Sequence, residues 1–487
     1  MPGRRTGLAV AAPSELAADA AEQVAWAGGN AVDAALAAAL VAMVNEVGLV
    51  SLSSGGFVTV QPAAAGAAAY TVDGWMDAPG RGLTEAERRA GRTWDVSTDY
   101  GGGVDITIGP GSVATHGSVA AFGEAHARDG RLPWAEVVAP AVAVARDGFL
   151  LGSATRYYLD YVRDDIFGWD DASRAAVTGA DGRLATDAVV VDGLAESLEQ
   201  IAADPRAMHE GDLADALSRD VLERGGLLGP ADLAAYAPVV RPALVSRLGA
   251  WSLATTPPPS VGGVVVSAIL RLLDGWSPDD PDADARIVEA QRRVLGHRLE
   301  VLDHSPDLAA DAAAYLQVLE SGSTAHVSTV DTDGLACSVT VSSGYGSGMI
   351  ARGTGIWLNN CLGEQELNPR GPHASSPGTR LLSNMAPTVA RHDDGATLAI
   401  GSPGADRITT ATSQVLLRYV AGAPRRDAVY HPRVHVHRAG RTDEVVRQEA
   451  EPSMYFGGVG AALVEADGTL VAAADPRREG AVRVFAP

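Results

Sequence analysis

Residues 320–334, "ESGSTAHVSTVDTDG", pass abruptly from small and hydroxyl side chains into strict alternation, and this change constrains the fold more than any other stretch. From Thr324 the order puts Thr324, His326, Ser328 and Val330 on one face and Ala325, Val327 and Thr329 on the other, the period of two that marks a β-strand. Asp331 to Gly334 supplies turn chemistry, and a second run, Leu335 to Val341, follows at once. The stretch therefore predicts a hairpin that begins at a threonine.

Upstream, an alanine-rich helical pattern ends at Gly28-Gly29, and "NAVDAALAAALVAMVNE" predicts a second helix capped by Asn30. "SLSSGGFVTVQ" reads as a glycine-initiated strand, residues 111–250 are mostly helical by period, and "TTPPPSVGGVVVSAILRLLDGW" reads as a loop feeding a buried helix. After Thr324 the character turns strand-rich, with runs at 324–330, 335–341, 395–400 and 460–465 and one helix near 406–420. Two parts follow, residues 1–323 and 324–487, with the boundary at the threonine that opens the hairpin.

Composition excludes several functions. A chain of 487 residues can bury a large core, and its 46% hydrophobic and 20% charged content is that of a globular protein. All 38 basic residues are arginine, and the formal charge of -22 argues against nucleic-acid binding, which needs clustered cations to neutralise phosphates. Cys337 and Cys361 are the only cysteines, so neither a disulfide framework nor a multi-cysteine metal site is expected. The N-terminal residues carry no sustained apolar core of signal-peptide type, and 31–44 is too short to span a bilayer, so a cytoplasmic protein with no membrane partner is expected. "GGGVDITIGPG" lacks a P-loop lysine and gives no support for phosphate binding.

A threonine hydroxyl is a weak nucleophile unless a base stands beside it. An N-terminal threonine carries its own base, because the α-amine titrates near neutrality. An internal threonine gains that base only when the preceding peptide bond is cut. Around Thr324 the chain resembles the γ-glutamyltranspeptidase family of N-terminal-nucleophile hydrolases. "GGNAVDAALAAALV", "PGSVATHGSVAAF", "VVAPAVAVARDGF", "RGGLLGPADLAAYAPVVR" and "TTPPPSVGG" are similar to landmarks of the family's large subunit. "TAHVSTVDTDGLACSVT" resembles the start of its small subunit, and "GTGIWLNN", "LLSNMAPT", "GSPGADRI" and "DPRREG" follow in the family's order.

The resemblance implies an α+β, four-layer αββα fold with two packed, mainly antiparallel sheets, intertwined from both parts. It implies a precursor that cuts itself before Thr324, leaving a heterodimer of fragments whose freed threonine attacks a small-molecule amide or amino-acid-derived substrate, with no cofactor. Ser342 matches a hydroxyl that hydrogen-bonds the nucleophile, and Gly404 and Ala405 match a Gly-Gly pair whose N–H groups hold the oxyanion. Ser383 and Asn384 match a pair that holds the substrate's α-carboxylate. Glu364 matches the acid that receives its α-amine, with Cys361 beside it in place of a longer polar residue.

One departure bears on the substrate. Where the family has Asp-Phe-Arg-Glu before Ala-Pro, with the arginine clamping the α-carboxylate, this chain reads "TVDGWMDAPG", so Trp75 stands at the arginine's position. An indole cannot imitate a bidentate guanidinium clamp. Either another arginine, such as Arg380 or Arg352, reaches the pocket, or the substrate is not a standard γ-glutamyl compound. Relatives such as the cephalosporin acylases act on other acyl groups, others from alkylproline antibiotic pathways cleave a carbon–carbon bond, and a catalytically silent relative is a further alternative. His431, His435 and His437 alternate as on a strand, but the family has a similar stretch without a catalytic metal, and none is expected here. His326 reads as a structural histidine.

Overall fold

The computed structural model describes residues 6–98, 104–315, 325–364, 367–368, 370–439 and 443–486. Two antiparallel sheets lie at its centre. In chain order their strands are β1 (Leu8–Ala12), β2 (Gly55–Gln61), β3 (Tyr70–Gly74), β4 (Val239–Pro242), β5 (Leu244–Leu248) and β6 (Trp251–Thr255). There follow β7 (Ala325–Asp331), β8 (Ala336–Ser342), β9 (Thr388–His392), β10 (Thr397–Gly401), β11 (Gly460–Val464), β12 (Leu470–Ala473) and β13 (Ala481–Phe485). The first sheet has the order β13, β1, β7, β8, β2, β3, β4, and the second β12, β11, β10, β9, β6, β5. Both sheets combine strands from before and after residue 324, so neither sheet can be assembled from one part alone.

Helices cover the outer faces. Those used below are α1 (Glu15–Trp26), α2 (Ala31–Asn45), α3 (Ser118–Asp129), α4 (Trp134–Asp147), α5 (Leu194–Ala203), α6 (Gly262–Leu272), α7 (Ala283–Glu300) and α8 (Arg407–Val420). α1 to α3 lie over the first sheet, α4 packs on α2 with α5 outside it, and α6 and α8 lie over the second with α7 against α6. The result is four layers, αββα, as the resemblance implies. Among the described residues no helix is long and apolar enough to cross a membrane.

α2 is buried on every face, which explains a composition that is apolar all round. Its start is fixed by a capping box: Asn30 Oδ1 accepts from the Asp33 amide and Asp33 Oδ2 accepts from the Asn30 amide, both at 3.0 Å. The Asp33 carboxylate also accepts from the amides of Arg131 and Leu132, so one side chain ties the helix start to the loop before α4. A further acceptor comes from the hairpin, where Asp331 Oδ2 takes the Ala31 amide at 3.3 Å.

The alternation read along the hairpin matches the two environments of β7. Ala325 and Val327 join the core under the helices, and Thr329 donates to the Ala31 carbonyl at 2.7 Å. His326, Ser328 and Val330 face the second sheet. That inter-sheet layer is thin: Ala9, Ala254, Ala336, Val389, Ala399 and Ala462 pack there with Val330. Hydroxyls bridge it, Ser328 donating to the Gly460 carbonyl at 3.1 Å and Ser338 to that of Ile400 at 3.2 Å. Because Ser328 donates onward, it accepts from His326 Nε2 at 2.6 Å, leaving Nδ1 to accept from Thr340 Oγ1 at 3.0 Å. Burial pushes the imidazole down to about 3, so this neutral histidine serves as an inter-sheet link.

Candidate active site

Thr324 itself lies outside the described residues. Its neighbour Ala325 begins β7, and at that strand end a cleft with about 510 Å³ of empty space, counted to its open mouth, enters the molecule. Ser342, Glu364, Gly404, Ala405, Arg407 and Arg478 line it together with Ala325. Four of the residues singled out from sequence thus meet at one place, beside Ala325 at the start of β7.

The hairpin register accounts for Ser342. Val341 pairs with Ala325, so the next residue, Ser342, falls at the end of β8 beside the point where the chain enters β7. Its Oγ accepts from the Gly344 amide at 3.0 Å. Gly344 has φ 68°, and a Cβ there would meet Asn360 Oδ1 at 2.3 Å and Glu364 Oε1 at 2.6 Å, so only glycine permits this turn. The loop is held from below by residues the sequence reading did not single out. Asn360 Oδ1 accepts from the Tyr345 amide at 2.7 Å, and Ser343 shares hydroxyl hydrogen bonds with Ser51 and Ser54. Asn359 Nδ2 donates to the carbonyls of Ser53 and Ala114, joining segments from both parts of the chain.

Gly404 and Ala405 lead into α8. Gly404 has φ 128° and Ala405 φ 55°, a left-handed conformation in which Ala405 keeps the turn of a Gly-Gly pair. Among the described residues neither backbone N–H donates to any group, and both residues line the cleft. Two adjacent, undirected amides at the start of a helix can stabilise an oxyanion. Asp406 follows, and its Oδ2 accepts from His435 Nε2 at 3.0 Å and His437 Nδ1 at 3.2 Å while Oδ1 pairs with Arg407. Burial would raise this carboxyl, but Arg407 and His435 hold it well below the usual range. His435 and His437 thus do converge, with ligand atoms within 4.8 Å of one another and of Asp406, whereas His431 is exposed and bonds Pro432 O. With the guanidinium of Arg407 on the same carboxylate, the trio forms a charge network that steadies residue 406 beside Ala405.

Glu364 reaches the cleft beside Cys361, whose thiol is pushed well above its ordinary value by burial and by the Glu364 carboxylate. Ser383, Asn384 and Trp75 are buried and are not among the cleft's lining residues. The Trp75 indole donates to the Leu382 carbonyl at 2.7 Å, fastening the segment in which Ser383 Oγ accepts from the Met385 amide and Asn384 Oδ1 accepts from Arg298 at 2.7 Å. Neither alternative arginine lines the cleft. Arg380 pairs with Asp77 at 2.9 Å, donates to the carbonyls of Trp75 and Ala237 and stacks on Tyr236, while Arg352 pairs with Asp220 and Glu223.

The cleft instead holds two arginines that sequence reasoning missed. Arg407 donates to the Tyr455 carbonyl at 2.8 Å and stacks 4.6 Å from that ring, its charge sustained against burial by Asp406. Arg478 ends a short turn after Asp475. Their signals were present in "GADRI" and the arginine doublet of "DPRREG", but nothing local distinguishes a cleft arginine from a buried one.

A family model described as Gamma-glutamyltranspeptidase matches residues 17–314 and 304–485. The chain belongs to this family. It is 29% identical over 480 residues to a glutathione hydrolase proenzyme of Pseudomonas aeruginosa, covering 88% of this chain and 83% of the relative. It is 27% identical over 514 residues to an acylase ACY 1 proenzyme of Pseudomonas sp. strain SE83, covering 96% and 91%. A cephalosporin acylase from Bacillus halodurans shares the fold with a TM-score of 0.79 at 22% identity, over 99% of this chain and 97% of that one. The chain is accordingly an enzyme of the γ-glutamyltransferase-like, N-terminal-nucleophile hydrolase type.

Proposed function

We propose that this enzyme is an autoprocessing amidohydrolase or acyltransferase that forms an acyl-enzyme on Thr324, with a substrate other than a standard γ-glutamyl compound. The observation that carries the reading is the meeting, at the Ala325 end of β7, of Ser342, Glu364 and the two undirected amides of Gly404 and Ala405 in one cleft. Relatives called proenzymes support a precursor that is cut, and relatives that include both glutathione hydrolases and an acylase support amide chemistry with a variable acyl group.

In the proposed reaction, cleavage of the Ser323–Thr324 bond frees the α-amine. That amine takes the Thr324 hydroxyl proton as the oxygen attacks the substrate carbonyl, and Ser342 orients the hydroxyl. The carbonyl electrons move onto oxygen, where the amides of Gly404 and Ala405 stabilise the charge, each worth roughly 3 kcal/mol in the transition state. The α-ammonium returns its proton to the leaving amine, and an ester on Thr324 remains. Water or an acceptor amine then attacks the ester with the α-amine as base, releasing the acyl product and restoring the hydroxyl.

Incubation with an acylating β-lactone, followed by peptide mapping, tests the nucleophile. Label on Thr324 that is absent from Thr324→Ala supports the reading, and an unlabelled Thr324 with no amide hydrolysis would mark a silent relative. A parallel screen of 4-nitroanilides tests the substrate: γ-glutamyl anilide should turn over weakly or not at all, and robust γ-glutamyl transfer overturns that part.

A further inference from the structure

Behind the cleft, the strand Val434–Ala439 brings His435 and His437 to the start of α8. Residues two apart on a strand share a face, so both imidazoles turn toward Asp406. The strand is pinned where it carries them. Gln414 of α8 donates to the Val434 carbonyl at 3.0 Å and accepts from the Val434 amide at 3.1 Å. Gln291 of α7 donates to the same carbonyl at 3.0 Å and accepts from the Val436 amide at 2.9 Å. Both glutamines are buried. Arg407 holds Asp406 through Oδ1, which leaves Oδ2 to the imidazoles. Three atoms of the kinds that zinc takes are thus fixed by groups that are not themselves ligands.

Their spacing suits an ion. Asp406 Oδ2 lies 3.0 Å from His435 Nε2 and 3.2 Å from His437 Nδ1, and all three atoms lie within 4.8 Å of one another. Ligand atoms on a tetrahedron with bonds of about 2.1 Å stand about 3.4 Å apart, so the two shorter edges need open only slightly. Coordination also requires each imidazole to carry its proton on the far nitrogen. For His435 the means is built in: Thr410 Oγ1 is 3.1 Å from both His435 Nδ1 and the Arg407 carbonyl. With its hydroxyl turned onto that carbonyl, Thr410 accepts from Nδ1–H and leaves the Nε2 lone pair for the ion. His437 is half-buried and opens the site to solvent. We propose that Asp406, His435 and His437 form a zinc-type site, with three protein ligands and a fourth position open to solvent. Two imidazoles and one carboxylate shared with a guanidinium do not suit calcium or magnesium, which take several oxygens. The ion has no part in bond making. It clamps residue 406, and with it the turn at Ala405, to the strand, whether or not Thr324 is the nucleophile.

The test is equilibrium dialysis of the whole protein, without a histidine tag, against Zn2+, with Ca2+ and Mg2+ in parallel arms. Wild type should take up one zinc per chain, and its Tm should rise with the logarithm of free zinc. Co2+ in place of zinc should show the intense visible absorption of a four-coordinate ion. His437→Gln removes a ligand at a half-buried position where the amide can keep the hydrogen bond to Asp406, so the fold is not at risk. It should weaken zinc binding roughly 100-fold and abolish the rise in Tm, and Thr410→Val should weaken binding roughly 10-fold with the stoichiometry kept. Less than one zinc per chain at saturation, equal affinity in wild type and His437→Gln, or calcium or magnesium bound as tightly as zinc overturns the proposal. Thr410→Val with wild-type affinity overturns the part given to Thr410.

Discussion

Ala405 carries a side chain at φ 55°, a conformation that costs a residue with a Cβ about 1 kcal/mol relative to glycine. Replacing it by glycine should raise the unfolding free energy by about that amount and leave catalysis intact, because the amide that faces the cleft is retained. Thermal unfolding checks this, and a destabilised Ala405→Gly would mean that the methyl group makes a contact worth more than the strain. Ser342→Ala should lower kcat by roughly tenfold with little change in KM, since in the proposed mechanism the Ser342 hydroxyl orients the nucleophile and does not hold substrate. At this scale the sequence was informative where a residue's role depends on its motif. Ser342, Glu364, Gly404 and Ala405 do share one cleft. Arg478 was hidden because its neighbour Arg477 has the same side chain and the opposite fate, one in the cleft and one in a buried network of acids, a difference set by partners 28 residues away.

Among the elements, α2 connects the cap at its start to a buried acid at its end. Asp33→Ala would leave the buried amide of Asn30 and the half-buried amides of Arg131 and Leu132 without their acceptor, at a cost of roughly 2–4 kcal/mol by chemical denaturation. At the other end, burial raises Glu46 from 4.5 to about 7, with Arg478 acting against the shift. The folded state therefore holds a proton that the unfolded chain has released between these values, and stability falls as pH rises from 4.5 through 7, by about 3 kcal/mol from this group. Glu46→Gln should remove that increment from the difference in stability between pH 5 and pH 8, whereas Arg478→Gln should enlarge it. Equal differences in wild type and Glu46→Gln would show that the acid is solvated. The capped helix and the hairpin were legible because their signals are local, a capping box and a period of two. β1, "LAVAA", was not, because a strand buried on both faces has no alternation and its alanines favour helix as readily. β4 to β6 and β12 escaped notice as short strands whose place is set by pairing with distant segments.

Over the whole molecule, both sheets are woven from the two parts of the chain: β7 and β8 lie between β1 and β2, and β9 lies between β6 and β10. Composition and periodicity show only a mixture of helix and strand. The four-layer arrangement was readable through family resemblance, since pairing between strands about 300 residues apart leaves no local mark. The same interleaving implies that a cut at residue 324 would not release either fragment, because every central strand keeps its neighbours. Every catalytic step proposed above requires that cut. Intact mass measurement of the purified 50.0 kDa chain under denaturing conditions tests it directly. The account predicts two fragments of about two-thirds and one-third of the chain that copurify before denaturation, the smaller beginning Thr-Ala-His-Val, with Thr324→Ala left as one uncut chain. A wild-type protein that is catalytically active and uncut would contradict it.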